Sequence, residues 1–177
     1  KGLAETLLKL MAPGVVADLG AGEGTLAQLL AQRAEKVIAV DSSEKMVDFG
    51  VNLARKHGYS NLEYRLGDIQ SPPIDNNSVD LSLFSQALHH AAKPQKALNE
   101  AFRITKPGGR VVVLDLLKHD FEEARELYAD LWPGFAEVEM RRFLDCAGFE
   151  DIESAIVDKE PEYPHFQTLM AIARKPA

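Results

Sequence analysis

Glycines and acidic side chains cluster in two short segments near the beginning of the chain. Gly20, Gly22 and Gly24 alternate directly after an apolar run. Glycine allows a sharp turn and lets a bound molecule approach the main chain closely. Asp41 closes the next apolar run, about 20 residues after Gly20, where a carboxylate can accept hydrogen bonds from both hydroxyls of a ribose. The turn and the acid together predict a site for a ligand that contains adenosine.

Two simpler roles compete with this interpretation. The glycines can serve only a tight turn between a strand and a helix, and Asp41 can serve only to cap the helix that follows. The pattern also departs from the dinucleotide fingerprint G-x-G-x-x-G, because Thr25 stands where the third glycine belongs. A nicotinamide dinucleotide is therefore not the expected ligand.

Apolar runs place these residues at the ends of predicted strands. Five strands are predicted, each followed by a turn or a helix, over residues 15–19, 37–40, 62–66, 79–84 and 111–114. Strands that alternate with helices favour an α/β fold with a parallel sheet. Ligands of such sheets bind beyond the carboxyl ends of the strands, where strand order reverses. The glycine turn and Asp41 both lie at such ends.

The segments outside these five units predict a different arrangement. A helix is expected over 2–11, a turn over 106–109 (KPGG), and helices over about 121–131 and 140–147. Cys146, in the pattern of the last helix, is expected to be a small core residue. Two final strands, about 151–158 and 166–173, are separated only by a short turn, which requires an antiparallel pair. The sheet should therefore be mostly parallel with one antiparallel strand.

Length and composition favour one acidic domain. The chain has 177 residues, is 46% hydrophobic and carries a net charge of −7, which speaks against nucleic acid as a partner of this domain. A single cysteine excludes an internal disulfide and fits a reducing, cytoplasmic location. No apolar stretch is long enough to predict a membrane span. Because the chain begins with Lys1 rather than Met, we expect a processed product or a fragment of a longer protein that lacks its N-terminal part.

Five segments, in order along the chain, resemble the motifs of one family. Residues 16–24 (VADLGAGEG) closely resemble motif I of the class I S-adenosylmethionine-dependent methyltransferases, and 37–46 and 67–69 resemble the second and third motifs. Residues 84–90 (FSQALHH) resemble the segment after strand 4 in the small-molecule branch that is similar to ubiquinone-biosynthesis enzymes. The turn at 106–109 is also typical of the family.

This resemblance implies a fold, an activity and a cofactor. The fold is a Rossmann-like sheet of seven strands in the order 3-2-1-4-5-7-6, with strand 7 antiparallel and helices on both faces. Residues 1–177 would form a single class I methyltransferase domain. It would transfer a methyl group from S-adenosylmethionine to a small molecule and release S-adenosylhomocysteine. The identity of the acceptor and the methylated atom stay open.

The resemblance also assigns residues to the cofactor. Asp18 would interact with the amino group of its methionine part, directly or through water, and Asp41 would bind the ribose hydroxyls. Met46 and Ile69 would pack against the adenine, and Asp68 would accept a hydrogen bond from the adenine amine. The full cofactor set that it implies is Asp18, Gly20, Gly22, Asp41, Ser42, Met46, Gly67, Asp68, Ile69, Ser85 and Gln86.

Residues for the methyl acceptor are expected outside these motifs. The substrate candidates are His90, His119, Tyr128 and Trp132. A histidine base is needed only when the acceptor must lose a proton, so no catalytic residue is assigned. The adjacent His89 and His90 point in different directions on a helix or a strand, so they are not expected to bind one metal ion together. No metal site is therefore expected. The aromatic stretch 128–135 fits three roles equally well: the wall of an apolar pocket, the surface of a homodimer, or ordinary core.

A second function, from another class, competes with catalysis. Residues 131–135 (LWPGF) and 147–149 (AGF) resemble methyltransferase domains fused to winged-helix regulators of the arsenic-repressor type. That resemblance implies a non-catalytic domain of a transcriptional regulator that senses S-adenosylmethionine or S-adenosylhomocysteine. Because the arsenic methyltransferases depend on several cysteines, the single Cys146 speaks against membership of that group.

Overall fold

The computed structural model describes residues 14–121 and 131–177. The helix predicted over 2–11, most of the helix predicted over 121–131, and the substrate candidate Tyr128 lie outside these ranges. Within them, no helix is both long and apolar enough to cross a membrane.

A seven-stranded sheet organises the described residues, in the order β3-β2-β1-β4-β5-β7-β6. Neighbouring strands from β3 to β5 pair in parallel, whereas β7 is antiparallel to both β5 and β6. The predicted α/β class, the strand order and the antiparallel position of strand 7 are thus confirmed. The strands are β1 Val15–Leu19, β2 Lys36–Asp41, β3 Leu62–Leu66, β4 Val79–Ser85, β5 Thr105–Leu116, β6 Glu150–Lys159 and β7 Gln167–Arg174.

Helices connect the strands and begin and end at residues suited to those positions. The helix after β2 is capped by Ser43, whose Oγ accepts a hydrogen bond from the Met46 N–H at 3.3 Å. It ends at Gly58, which takes the left-handed conformation with φ +74°. The helices of the described ranges are α1 Thr25–Ala31, α2 Glu44–His57, α3 Pro94–Ile104 and α4 Glu137–Ala147, with a 3₁₀ turn at Leu88–His90.

The pleat of the central strands divides the core between the two faces of the sheet. Val111 and Val113 point to the face covered by α3 and α4, where Leu98 and Leu144 are fully buried. Val112, between them, points to the opposite face with the buried α1 side chains. Both faces of β5 are therefore apolar, which is why the strand reads as an uninterrupted hydrophobic run.

Two local expectations from the sequence are wrong. Residues 106–109 do not form a turn ahead of the strand but lie within β5, which begins at Thr105, and they bulge out of its ladder with β4, where Val79 pairs with Thr105 and Leu81 with Arg110. The Gly108 N–H donates to the Lys175 carbonyl and the Lys175 N–H donates to the Gly109 carbonyl, each at 2.8 Å, so the segment is paired with the chain after β7. Cys146 is exposed rather than in the core, because the buried side of α4 carries Met140 and Leu144.

A buried pair of hydroxyl groups joins β4 to the start of β5. Ser82 Oγ and Thr105 Oγ1 are 2.8 Å apart, and both residues are fully buried. Thr105 Oγ1 also donates to the Ala101 carbonyl of α3 at 2.6 Å, so the Ser82 hydroxyl must be the donor within the pair. Thr105 thus accepts the hydrogen bond of the Ser82 hydroxyl and links Ser82 to α3.

Replacing Thr105 with valine should cost more than removing the whole pair. Thr105→Val leaves a buried Ser82 hydroxyl without an acceptor, and we expect the free energy of unfolding to fall by about 1–3 kcal/mol. The Ser82→Ala/Thr105→Val double variant removes both partners and should lose less than Thr105→Val alone. Urea unfolding of the wild type, Thr105→Val and the double variant measures this; a double variant that is less stable than the valine variant would contradict the assigned donor.

Candidate functional site

The site begins where β1 and β2 end side by side. The N–H groups of Gly20 and Ala21 both donate to the Val40 carbonyl, at 2.8 and 2.9 Å. Gly20 has φ +82°, and a Cβ atom there would lie only 2.7 Å from the Cβ of Ala87. Glycine is therefore required at this position both by the turn and by the close approach of the segment after β4.

Asp41 links the glycine turn to the start of α2. One carboxylate oxygen accepts from the Gly22 N–H and the other from the Ser43 N–H, each at 2.9 Å. A carboxylate oxygen can accept two hydrogen bonds, so each oxygen keeps capacity for one more. The structural role and the ligand-binding role of Asp41 are consequently compatible, while the cap of α2 itself is Ser43.

A cleft of about 450 Å³ opens at these strand ends. Its size suits a small ligand or cofactor. Most of the residues predicted from the sequence line it: Gly20, Gly22, Asp41, Ser42, Met46, Asp68, Ile69 and Gln86, together with His90 from the acceptor candidates. The further lining residues are Gln70, Ala87 and Ala91.

Three predicted residues do not line this cleft. Asp18 lies beneath it, 2% exposed, and Ser85 is the last residue of β4. Gly67 packs inward, since a Cβ atom there would be 2.5 Å from Pro73 Cδ, and its N–H donates to the Asp41 carbonyl at 2.9 Å. The geometry therefore gives Gly67 a role in holding the ends of β2 and β3 together.

Asp18 is a buried acid whose hydrogen bonding is incomplete. Among the residues that the structure describes, no group donates to its Oδ2 atom. Burial, reinforced by the nearby negative charge of Asp41, raises the pKa of Asp18 from 3.8 to about 7. An ionised carboxylate in this position is costly, and a positively charged group of a ligand would relieve that cost.

Tyr64 on β3 adds a second buried polar atom that the sequence analysis did not identify. Its hydroxyl lies against Gly24 and its ring against Gly50, where any larger side chain would collide with the tyrosine. The hydroxyl has no partner within 14–121 and 131–177. Burial and the carboxylates of Asp18 and Asp41 raise the pKa of Tyr64. The sequence around Tyr64 does not mark it as a site residue, because tyrosine is common in half-buried strands.

Gln86 stands at a strained point directly after β4. It is a non-glycine residue with φ +55°, held there by its N–H, which donates to the Leu114 carbonyl at 2.7 Å. Left-handed backbone at a residue other than glycine costs free energy and is concentrated at functional sites. Gln86 lines the first cleft and also a second one beside it.

The second cleft, of about 530 Å³, lies between the 3₁₀ turn and the chain that joins β6 to β7. Because β7 is antiparallel to β5, Thr168 pairs with Leu116, and the residues before β7 reach the carboxyl end of the parallel strands. The lining residues are Gln86, His89, His90, Leu116, Glu160, Glu162, Tyr163, Pro164, Phe166 and Thr168. The sequence analysis missed the part contributed by residues 160–168.

His89 and Asp115 form a buried pair at the inner side of this cleft. The imidazole Nδ1 is 2.6 Å from Asp115 Oδ1, and the side chains are 6% and 0% exposed. The other carboxylate oxygen accepts from the His89 N–H at 3.2 Å. A carboxylate has only acceptors, so Nδ1 carries the proton in this hydrogen bond.

Asp115 could have been found from the sequence. It directly follows the most hydrophobic strand, as Asp18 and Asp41 lie at the ends of theirs, and β4 and β5 are neighbours. The carboxyl ends of adjacent parallel strands bring a histidine after β4 close to an acid at the end of β5.

Two further acceptor candidates, His119 and Trp132, do not themselves line either cleft. Among the described residues, the sets that line the clefts do not include His119 or Trp132. The Trp132 indole N–H donates to the Ala91 carbonyl at 2.8 Å, its backbone N–H donates to the His89 carbonyl at 3.0 Å, and its ring stacks on Phe135. Trp132 thus supports the turn that carries the histidines.

Comparison with known proteins identifies similar sequences and folds. A family model described as "Methyltransferase domain" matches residues 17–113. An arsenite methyltransferase of Halobacterium salinarum is 31% identical over 163 residues, which cover 86% of this chain and 42% of that protein. A demethylmenaquinone methyltransferase of Paenarthrobacter aurescens is 35% identical over 115 residues, or 65% of this chain and 44% of that protein. The chain thus spans less than half the length of these relatives.

A solved structure shares the whole fold. Phosphoethanolamine N-methyltransferase 2 of Haemonchus contortus, in complex with phosphomonomethylethanolamine and S-adenosylhomocysteine, superposes with a TM-score of 0.86 at 18% identity. The superposition covers 98% of this chain and 52% of that one. At this identity, the likeness concerns the fold alone.

Removing the charge of Asp18 should stabilise the protein at neutral and alkaline pH. Because the folded-state pKa of Asp18 is raised to about 7 from 3.8, the folded protein binds more protons than the unfolded chain between these values, and stability falls as pH rises through that window. The free energy of unfolding of Asp18→Asn, measured relative to wild type, should therefore increase by about 2–3 kcal/mol when the pH is raised from about 5 to about 8. Urea unfolding at both pH values measures this, with the exposed Asp48→Asn as the control; a constant difference would refute the raised pKa.

Substitutions of Trp132 should act on stability. Trp132→Ala removes a large, partly buried ring and should cost about 3 kcal/mol, whereas Trp132→Phe keeps the ring but loses the bond to Ala91 and should cost about 1 kcal/mol. The exposed Leu131→Ala is the matched control. Chemical unfolding followed by circular dichroism tests this; equal stability of Trp132→Ala and wild type would show that the ring does not support the turn.

Proposed function

This chain belongs to the methyltransferase-domain family, and on that premise we propose that it is an S-adenosylmethionine-dependent methyltransferase that acts on a small molecule. The proposal treats residues 1–177 as a single class I domain. It identifies the first cleft as the cofactor site and S-adenosylhomocysteine as the product that leaves it.

The observation that carries this proposal is the buried carboxylate of Asp18. It lies directly before the glycine turn, 2% exposed, with one oxygen that no described residue satisfies. S-adenosylmethionine has an ammonium group and a sulfonium, and Asp41 and Asp68 in the lining add further negative charge. Among the described residues of the lining there is no Lys or Arg. The donor set and the charge therefore fit this cofactor.

The adenosine end of the cofactor fits the other side of the cleft. Asp41 has acceptor capacity for the ribose hydroxyls beyond its two backbone bonds. Met46 and Ile69 supply apolar surface for the adenine. Asp68 is oriented by Gln70, whose backbone N–H donates to Asp68 Oδ1 at 2.8 Å and whose side-chain amide donates to both carboxylate oxygens, at 3.2 and 3.3 Å. We propose that the same carboxylate accepts from the adenine amine.

The chemistry needs little beyond alignment. When bound, the cofactor supplies an activated methyl group on a good leaving group. The chain holds the reacting groups in one geometry and excludes water from them, which can account for much of a rate enhancement. Gln86 lies at the boundary of the two clefts, so its strained backbone is placed beside the region where the methyl donor and the acceptor would meet.

The relatives support a small-molecule acceptor without identifying it. Their names refer to arsenite and to demethylmenaquinone, and the Haemonchus contortus enzyme was solved with S-adenosylhomocysteine. The present chain has one cysteine, exposed on α4, so several thiolates cannot gather here around arsenite. We therefore favour an organic acceptor.

Location and partners are proposed from the sequence. One cysteine suits the reducing cytoplasm, and the net charge of −7 disfavours nucleic acid. A homodimer through the 128–135 stretch stays a prediction. The alternative of a non-catalytic sensing domain, fused to a winged helix in a longer protein, gains no support from a specific feature within 14–121 or 131–177.

Two glycines with the same backbone allow a matched test of the cofactor site. Gly22 and Gly58 have φ +57° and +74°, and a Cβ atom at either would contact nothing within 4 Å. Alanine at either position should cost about 1 kcal/mol of stability. Only Gly22 lines the cleft, so Gly22→Ala should weaken S-adenosylhomocysteine binding at least about tenfold by obstructing close approach, and Gly58→Ala should leave it unchanged.

Isothermal titration calorimetry with S-adenosylmethionine, S-adenosylhomocysteine and NAD decides the outcome. We expect the first two to bind the wild type and NAD not to bind. Equal affinity of Gly22→Ala and Gly58→Ala for S-adenosylhomocysteine, or a wild type that prefers NAD, would refute the proposed cofactor site.

A further inference from the structure

The second cleft lies against the proposed cofactor cleft. Gln86 and His90 line both, so the two clefts adjoin at these residues. A methyl acceptor must approach the transferred group from a separate site that opens onto the cofactor. Resting on the function proposed above, the second cleft is the described space that satisfies this requirement.

The walls of the second cleft are acidic and aromatic. Glu160 and Glu162 contribute carboxylates, Tyr163 and Phe166 contribute rings, and no Lys or Arg occurs among its described lining residues. Carboxylates attract a cation, and the face of an aromatic ring does so as well. A phosphorylated or carboxylated acceptor would find no positive partner in this lining and would be repelled by it.

The aromatic side of the cleft is built as a cluster. The Phe121 ring lies 6.0 Å from Tyr163 and 5.9 Å from Phe166 between ring centroids, and the His119 ring is 4.7 Å from Phe166. His119, a substrate candidate from the sequence, thus supports a ring of the cleft. The contacts place Phe121 and His119 behind the two lining rings.

We propose that the second cleft binds the methyl acceptor and that the acceptor is an amine which enters as an ammonium ion. Glu160, Glu162 and the two rings recognise the positive charge. The buried pair of His89 and Asp115 forms the inner side of the same cleft.

Methyl transfer to an amine balances in protons and electrons. The ammonium ion loses one proton to solvent and becomes a neutral amine with a free electron pair. That pair forms the new nitrogen–carbon bond while the carbon–sulfur pair remains on the departing sulfur.

Charge selectivity is testable without turnover. The probes are choline, whose quaternary nitrogen cannot accept another methyl group, and its neutral isostere 3,3-dimethylbutan-1-ol, with acetate as an anion. Amide chemical shifts of ¹⁵N-labelled protein are followed at low ionic strength, because salt screens exposed charges. We expect choline to bind at least about fivefold more tightly than the alcohol, with shifts in residues 160–168.

Paired variants identify the residues that select the charge. Glu160→Gln/Glu162→Gln should weaken choline binding about fivefold and leave the alcohol unchanged. Glu153→Gln, an exposed acid of β6 outside the cleft, is the matched control. Phe166→Leu should also weaken choline binding, since leucine keeps the apolar bulk but has no ring face.

The same samples separate this proposal from the proposed function. S-adenosylhomocysteine affinity should be unchanged in the Glu160→Gln/Glu162→Gln protein, because neither residue lines the first cleft. A wild type that binds choline but not S-adenosylhomocysteine would refute the cofactor proposal alone. Preference for the alcohol or acetate, or choline binding that is insensitive to the glutamates, would overturn the amine assignment.

The substrate class is tested by turnover. Amines, alcohols and carboxylic acids are screened with labelled cofactor, and we expect primary and secondary amines to be methylated. Methylation of alcohols or acids in place of amines would exclude the substrate class.

Discussion

The whole site depends on the position of β1 in the sheet, with β2 paired to one edge and β4 to the other. Connections on either side of β1 therefore leave in opposite directions, and the loops at its carboxyl end separate to form a crevice. The bonds from Gly20 and Ala21 to the Val40 carbonyl hold one side of that crevice. The close packing of Gly20 on Ala87 holds the other. Every residue of the proposed cofactor cleft takes its place from this arrangement.

Function and stability are in tension at Asp18. A carboxylate that is 2% exposed and incompletely hydrogen-bonded lowers the stability of the folded protein whenever it is ionised. Binding sites commonly hold polar groups that only a ligand satisfies, and the surrounding core must offset the cost. Here the offset comes from strands buried on both faces, such as β5 between its two layers of helices. The charge that lowers the stability of the fold is the one that a cationic ligand would use.

The antiparallel strand β7 gives the site its second half. Lying between β5 and β6, it runs opposite to its parallel neighbour, so its first residues meet the last residues of β5. The turn before it, which carries Glu160, Glu162 and Tyr163, thereby reaches the ligand edge of the sheet beside His89. A sheet in which this strand were parallel would place the same residues at the opposite edge, far from the cofactor.

The sequence by itself determined the strand order, through its resemblance to a family, and most of the first cleft, from Gly20 and Asp41 to Asp68. These residues are local signals, since turns and strand ends are encoded by neighbouring residues. It also contained His89 and Asp115, but only the pairing of β4 with β5 makes them partners. The role of Glu160, the supporting role of Trp132 and the burial of Tyr64 were decided by the tertiary structure alone. Their contacts join segments far apart in the chain, and no local pattern encodes which distant residue a side chain will meet.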